Sequence, residues 1–437
     1  MSMEQCNAMN GKKCSCGKIH SFQTRVVTGK GALERILECI TAFNARKVYL
    51  LSDRNTYRAA GERVCKLLQE AGIDYVSHCF REVCPEPDEE SVGSAIMHYE
   101  ADCDLVVGIG SGVINDIGKI VSAVAGKPYI IVATAPSMDG YASATSSMTR
   151  DGLKISLPSK SADVIIGDTE ILCQAPLKMM KSGLGDMLAK YVSICEWRIA
   201  HLITGEYYCE EIARLIRGAV KRCVDNAEGL LHREEAAVEA VFEGLVMGGI
   251  AMNYAELSRP ASGVEHYISH VLDMRGVEFG TAVEPHGIQC AAGTLMAVKA
   301  YEKLVTLRPD REKALSHAER FDYEAWSADL RTLLGKGAES MIVLETKEGK
   351  YNAGRHSVRL ERILSHWKEI LEIIGQELPS SAELETLLDT VGLPKTLEEL
   401  GTPETLFPAI FRATGDIRDK YVLSRLAWDL GVTEEII

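Results

Sequence analysis

The stretch Gly108-Ile-Gly-Ser-Gly-Val-Ile-Asn-Asp-Ile-Gly-Lys119 decides how the first half of the chain is read. The run before it, Asp104-Leu-Val-Val, has the character of a buried strand, and the apolar spacing from Val113 to Val124 suits a helix. A strand, a glycine turn and a helix N-terminus form an anion site. The first amides of a helix have no internal partner, and the helix dipole favours negative charge. Glycines also let a phosphate approach the backbone. The stretch reads as a phosphate or dinucleotide cradle, with an ordinary strand–helix turn as the alternative. It departs from the G-x-G-x-x-G fingerprint, since Val113 fills the third glycine position and no acidic residue stands about 20 positions further on.

Outward from this stretch, strands alternate with helices. Thr24 to Thr28, Lys47 to Asp53, Tyr75 to Phe80 and Pro128 to Thr134 read as strands, and Ala32 to Asn44, Thr56 to Ala71 and Glu89 to Tyr99 as helices. This alternation predicts a parallel, doubly wound sheet whose ligands sit beyond the carboxyl ends of the strands. Asp53, Gly110 and Thr134 fall at such ends. Asp53 suits hydrogen bonds from an adenosine ribose, which favours NAD over a 2′-phosphorylated cofactor; Arg54 beside it softens that choice, and a helix cap explains Asp53 equally well. Ala135 to Ser143 is a polar loop, and Lys154 to Ile166 reads as a hairpin at the sheet edge. From Pro176 helical periods take over: 176–202, 206–227, 234–254, 262–273, 285–305, 311–318, 357–374 and 381–391, with Gly335 to Gly354 as a loop or small insertion. The expected organisation is an N-terminal extension (1–21), an α/β dinucleotide-binding domain (22–172) and an all-helical domain (173–437).

Bulk properties narrow the class. The 437 residues carry a net charge of -14 with no basic tract, which argues against nucleic acid as a partner. No apolar run is long enough to span a membrane, and the first 20 residues lack the apolar core of a secretion signal. Thirteen cysteines, an odd number, then read as reduced thiols in a cytoplasm. Cys6, Cys14, Cys16 and His20 offer metal ligands, but C-x-C-G-x-x-H is not a standard zinc spacing, and a loop with reduced thiols is the favoured reading.

Three stretches of the helical half carry chemistry. Gly183-Leu-Gly-Asp-Met-Leu-Ala-Lys190 puts a carboxylate, Asp186, on a small and apolar face, with Lys190 one turn on; a helical ion pair is the plain alternative. Ser262-Gly-Val-Glu-His-Tyr-Ile-Ser-His270 begins with capping-box spacing between Ser262 and Glu265, and places His266 and His270 on one helical face. Glu284-Pro-His-Gly287 puts His286 at a helix start. A carboxylate and two or three histidines on separate helices suit a catalytic divalent metal such as zinc, nickel or iron. His78, His98, His232 and His317 show no such clustering.

GIGSGVINDIGK, TAPSMDGYAS, GLGDMLAK, SGVEHYISH and PHG occur in an order that resembles the bacterial sn-glycerol-1-phosphate dehydrogenases. These belong with the glycerol dehydrogenases, iron-dependent alcohol dehydrogenases and dehydroquinate synthases. The resemblance runs from about residue 22 to the C-terminus and implies a dehydroquinate synthase-like fold. It implies that Gly110, Ser111, Gly112, Val113, Ile114, Thr134, Ala135, Pro136, Ser137 and Ser143 line NAD or NADP, and that Asp53 holds the adenosine ribose. Asp186, His266 and His286 match the ligands of one divalent ion. His270 matches a proton-relaying substrate contact, Asp139 a substrate-binding aspartate, and Asp186 also faces substrate. The implied reaction is the reversible reduction of dihydroxyacetone phosphate to sn-glycerol 1-phosphate, in a homodimer serving phospholipid metabolism. Arg259 is the candidate for the substrate phosphate, against a structural ion pair. The rival readings are a glycerol or other alcohol dehydrogenase, a dehydroquinate synthase-like lyase, and a non-catalytic nucleotide- or metal-binding regulator.

Overall fold

A computed structural model of the protein describes residues 3–81, 85–150 and 153–437, so Met1 and Ser2 of the expected extension lie outside the described residues. The chain folds into two compact units. Unit 1 comprises residues up to 187 together with 214–257, and unit 2 comprises 188–213 together with 258–437. The boundary expected near residue 172 lies just past the last strand, which ends at Asp168.

Unit 1 is built on a six-stranded sheet. Its strands are β1 (Arg25–Gly29), β2 (Lys47–Asp53), β3 (Asp74–Phe80), β4 (Leu105–Gly110), β5 (Tyr129–Ala133) and β6 (Val164–Asp168). The spatial order is β1-β6-β5-β4-β2-β3, and every neighbouring pair is parallel. Strands covered on both faces are continuous apolar runs rather than alternating ones. Tyr129-Ile-Ile-Val-Ala133 is such a run, and all of it is buried. The edge strand β3 alternates more and is only partly buried. The chain steps outward from β2 to β3, then reverses at β4 and continues through β5 and β6. That reversal leaves a crevice beyond the carboxyl ends of β2 and β4, where doubly wound sheets take their ligands. Asp53 ends β2 and Gly110 ends β4.

Two glycines of the opening motif exist for packing. A Cβ on Gly108 or on Gly118 would lie 2.3 or 2.4 Å from the Tyr129 hydroxyl. Their absence of side chains lets the helix α1 (Gly112–Ala125) lie close on β4 and β5.

The structure corrects three expectations. Val164–Asp168 is not a hairpin at the sheet edge but the parallel strand β6, between β1 and β5; the hairpin is Thr145–Arg150 with Leu153–Pro158, a separate two-stranded sheet. The run 176–202 is interrupted at Ala189, giving α2 (Leu177–Leu188) and α3 (Lys190–Thr204). The segment Gly335 to Gly354 is largely helical, with a helix over Ala338–Glu348. Its polar surface and terminal glycines mimic a loop, yet Met341 and Ile342 are buried. After β6 the described chain is helical, including α4 (Glu235–Ala255) in unit 1 and α5 (Val264–Phe279) and α6 (His286–Leu304) in unit 2.

Candidate functional site

The cradle forms at the start of α1. Ser111 is the N-cap residue but its side chain makes no cap hydrogen bond to the first turn of α1, where Gly112, Val113 and Ile114 stand. Its hydroxyl instead pairs with Ser137 and accepts from the Tyr141 hydroxyl at 3.3 Å. Thr134 joins the cradle by donating its amide to the Gly110 carbonyl at 3.1 Å. Gly110, Ser111, Ile114, Thr134, Ala135, Pro136 and Ser143 are buried, and Gly112, Val113 and Ser137 are half-buried. Asp53 is an N-cap, its Oδ1 accepting from the Asn55 and Thr56 amides at 2.7 and 2.9 Å. The cap reading of Asp53 holds, and it fixes the carboxylate at the mouth of the crevice.

The loop after β5 is held from beneath by residues that sequence reasoning passed over. Asn115 and Lys119 stand four apart on α1 and both donate to the Gly140 carbonyl, at 3.1 and 3.4 Å. Lys119, completely buried, also donates to the Thr145 carbonyl at 2.5 Å and pairs with Asp116 at 2.8 Å. On α2, Ser182 donates to the Ser137 carbonyl, and a Cβ on Gly183 would meet the Pro136 carbonyl oxygen at 2.0 Å. One turn on, the buried Asp186 accepts the Asp139 amide through Oδ2 at 2.9 Å. The fixed spacing of Asn115, Lys119 and Gly183 was visible in the sequence, but their partners were not.

Unit 2 brings three histidines together. Ring centroids of His266 and His286 lie 5.0 Å apart, and those of His270 and His286 5.8 Å apart. Each of the first two is oriented by its Nδ1: His266 against Glu265 Oε1 and His286 against the Ser269 hydroxyl, both at 2.9 Å. Fixing one ring nitrogen in this way is how proteins orient an imidazole whose other nitrogen takes a metal. The expected Ser262–Glu265 capping box does not form. Ser262 donates to the Ser258 carbonyl, and Glu265 turns back to accept the Gly263 amide at 2.6 Å while holding His266.

Four further ionisable groups stand near this cluster. Cys290, one turn along α6 from His286, places its Sγ 3.6 Å from His286 Nε2, and the His266, His286 and Cys290 ligand atoms all lie within 4.8 Å of one another. Burial pushes the Cys290 thiol up, but His266 and His286 beside it outweigh that and bring it below its usual range. Glu196 on α3 accepts from the Val264 amide at 3.0 Å and the Leu423 amide at 2.8 Å. Burial, then the neighbouring Glu265 charge, push its carboxyl up to about 8. Gly263 is required here, because a Cβ would lie 2.5 and 2.7 Å from Glu196 and Glu265 oxygens. Arg259 is consumed structurally, pairing with Glu206 at 2.6 Å and donating to the Tyr421 carbonyl at 2.8 Å. Lys420 lies over the Tyr267 ring and donates to the Ser262 carbonyl and hydroxyl. Burial first, then Arg259 and Arg418, lower its ammonium to about 7.

The chain as a whole is similar to known proteins. Residues 27–176 match the iron-containing alcohol dehydrogenase family. A glycerol-1-phosphate dehydrogenase, NAD(P)+, of Bacillus licheniformis is 32% identical over 297 residues, covering 67% of this chain and 74% of that protein. Its namesake in Halalkalibacterium halodurans is 26% identical over 94% of both chains. Among solved structures, a glycerol dehydrogenase from Schizosaccharomyces pombe is similar with a TM-score of 0.61 at 17% identity, covering 95% of this chain and 89% of that one. An iron-containing alcohol dehydrogenase from Thermococcus thioreducens is similar with a TM-score of 0.60 at 17% identity, covering 95% and 97%. Sheet order, crevice and the Bacillus relative converge on one assignment: the chain belongs to the family of NAD(P)+ glycerol-1-phosphate dehydrogenases.

Proposed function

We propose that this chain is an oxidoreductase that interconverts dihydroxyacetone phosphate and sn-glycerol 1-phosphate, using NAD(P) in the unit 1 crevice and one divalent ion on Asp186, His266 and His286. The orientation of the two imidazoles carries the reading. Glu265 and Ser269 hold both Nδ1 atoms, and the ligand atoms of His266, His286 and Cys290 lie within 4.8 Å of one another, an arrangement that suits a metal. The Cys290 thiol beside them and the unpartnered, buried Oε2 of Glu265 fit a cation at the same place. Zinc, nickel and iron all suit nitrogen and carboxylate ligands.

A bound ion would polarise the ketone oxygen, and the nicotinamide would supply the hydride. The remaining steps belong to the chain. The α1 amides hold the pyrophosphate, and Asp53 takes the adenosine ribose, favouring NAD. Ser137 and Thr134 border the nicotinamide, and Ser143 adds a further contact. His270, one turn from His266 on α5, passes the proton to the developing alkoxide, and Asp139 orients a substrate hydroxyl. With Arg259 occupied by Glu206, Lys420 is the cation we assign to the substrate phosphate. On the same reading the enzyme is a cytoplasmic homodimer. NADH absorbance followed with dihydroxyacetone phosphate, dihydroxyacetone and simple aldehydes tests the reaction. Activity far higher with the phosphorylated ketone than with dihydroxyacetone, and loss of activity together with bound metal in His266→Ala, is the expected result. A fully active metal-free variant overturns it.

A further inference from the structure

We propose a second metal site, outside the dehydrogenase machinery, in the N-terminal hairpin: Cys14, Cys16 and His20 bind a structural Zn²⁺. The sequence alone favoured a plain thiol loop, because the C-x-C-G-x-x-H spacing is not standard. The folded hairpin changes that judgement. Lys12–Lys13 pairs antiparallel with Ile19–His20, and the turn between them is closed by the Cys14 amide on the Lys18 carbonyl at 2.8 Å and the Gly17 amide on the Cys14 carbonyl at 3.0 Å. Gly17 takes the left-handed backbone, φ +89, that this tight turn demands. The ligand atoms of Cys14, Cys16 and His20 consequently lie within 4.8 Å of one another.

His20 supplies the decisive detail. It is buried, and its Nδ1 lies 2.9 Å from the Tyr254 carbonyl, which can only accept; Nδ1 therefore carries the proton. Nε2 is left with its lone pair, aimed at Cys16 Sγ at 3.4 Å. A tetrahedral zinc with Zn–S of about 2.3 Å and Zn–N of about 2.0–2.1 Å holds such a sulfur and nitrogen about 3.5 Å apart. The backbone-carbonyl partner on the far ring nitrogen is the usual support of a metal-bound imidazole.

The site also answers a structural need. Strands of two residues cannot sustain a hairpin alone. The segment is tied down around the same place: the Tyr254 hydroxyl donates to the Cys6 carbonyl at 3.0 Å, and Asn10 exchanges two bonds of 3.0 Å with the Phe22 backbone. Zinc would lock the turn and, through His20, clamp the segment to the end of α4. Cys6, grouped with these residues on sequence grounds, is not among the clustered ligands.

The test uses full-length protein purified under reductant, with metal measured by mass spectrometry and Zn²⁺ then exchanged for Co²⁺. Cys14→Ser/Cys16→Ser is expected to lose about one metal equivalent and the thiolate-to-cobalt charge-transfer absorption contributed by this site, while keeping dehydrogenase activity and any absorption from the ion beside Cys290. His266→Ala/His286→Ala is expected to lose the other equivalent and keep the absorption of the hairpin site, which separates this site from the catalytic one. For wild-type protein, peptide mapping after alkylation is expected to show Cys14 and Cys16 protected until a chelator is added, a readout that needs no variant. Equal metal content in wild type and the Cys14/Cys16 variant, alkylation indifferent to the chelator, or a Cys14–Cys16 disulfide would overturn the site.

Discussion

Lys420 and Glu196 show how single residues acquire properties the sequence does not advertise. Lys420 is a lysine whose ammonium sits near 7 because it is desolvated and faces Arg259 and Arg418. A dianionic ligand would pay back that cost. Lys420→Met should raise the KM for dihydroxyacetone phosphate at least about tenfold, the scale of one lost charge-assisted contact, while leaving turnover of dihydroxyacetone unchanged. An equal effect on both ketones would argue against phosphate recognition. Glu196 titrates in the opposite direction. Its carboxyl is raised from an ordinary 4.5 to about 8, so between those values the folded chain holds a proton that the unfolded chain releases. Stability from this group is complete below about 4.5 and falls as pH rises through 8. Glu196→Gln should flatten the pH dependence of the denaturation midpoint between pH 5 and 8, with near wild-type stability at pH 5. An unchanged slope would mean that Glu196 is ionised in the fold.

Elements act here by fixing loops. Helix α1 was read as a cradle, and it also carries Asn115 and Lys119, which hold the Gly140 carbonyl and with it the loop over 134–143. Removing Lys119 would leave Asp116 and two carbonyls without their cation. Lys119→Met should therefore cost about 3 kcal/mol in chemical denaturation, the scale for breaking a buried pair from one side, and raise the KM for NAD(P)H. Wild-type values for both would show that the loop holds itself. Helix α2 sets the other side of the same loop, since only glycine at 183 lets it approach the Pro136 carbonyl. The motif glycines are thus of two kinds. A Cβ on Gly112 would lie 3.3 Å from Met138 Cγ in the loop over 134–143, whereas Gly108 and Gly118 make room for Tyr129.

On the scale of the whole molecule, the unit 1 sheet carries the crevice proposed for the cofactor, and unit 2 contains His266, His270 and His286. If the crevice binds NAD(P)H, saturation at 100 times the Kd should stabilise the fold by about 2.7 kcal/mol, visible as a rise in thermal midpoint. No rise with either cofactor would refute that proposal. Among the described residues no helix is long and apolar enough to cross a membrane. The parallel sheet, the helical second half and the candidate residues Asp53, Gly110, Asp186, His266, His270 and His286 were legible in the sequence. Apolar period, glycine turns and short-range spacing are local properties, and each is written within a few residues. The β6 strand and the helix over Ala338–Glu348 were misread, because strand position and burial depend on partners far along the chain. The same limit hid Glu265 as the holder of His266, Cys290 beside His286 and the occupied state of Arg259. It also hid the convergence of Cys14, Cys16 and His20, whose ring is turned by a carbonyl more than 200 residues away, at Tyr254. The sequence by itself determined the alternation of strands and helices in the first half, the helical character of the second, and which side chains stand as candidates for the chemistry. Only the tertiary structure decided which atom of each side chain is held and which is left to bind, because hydrogen bonds and burial between distant segments set that choice.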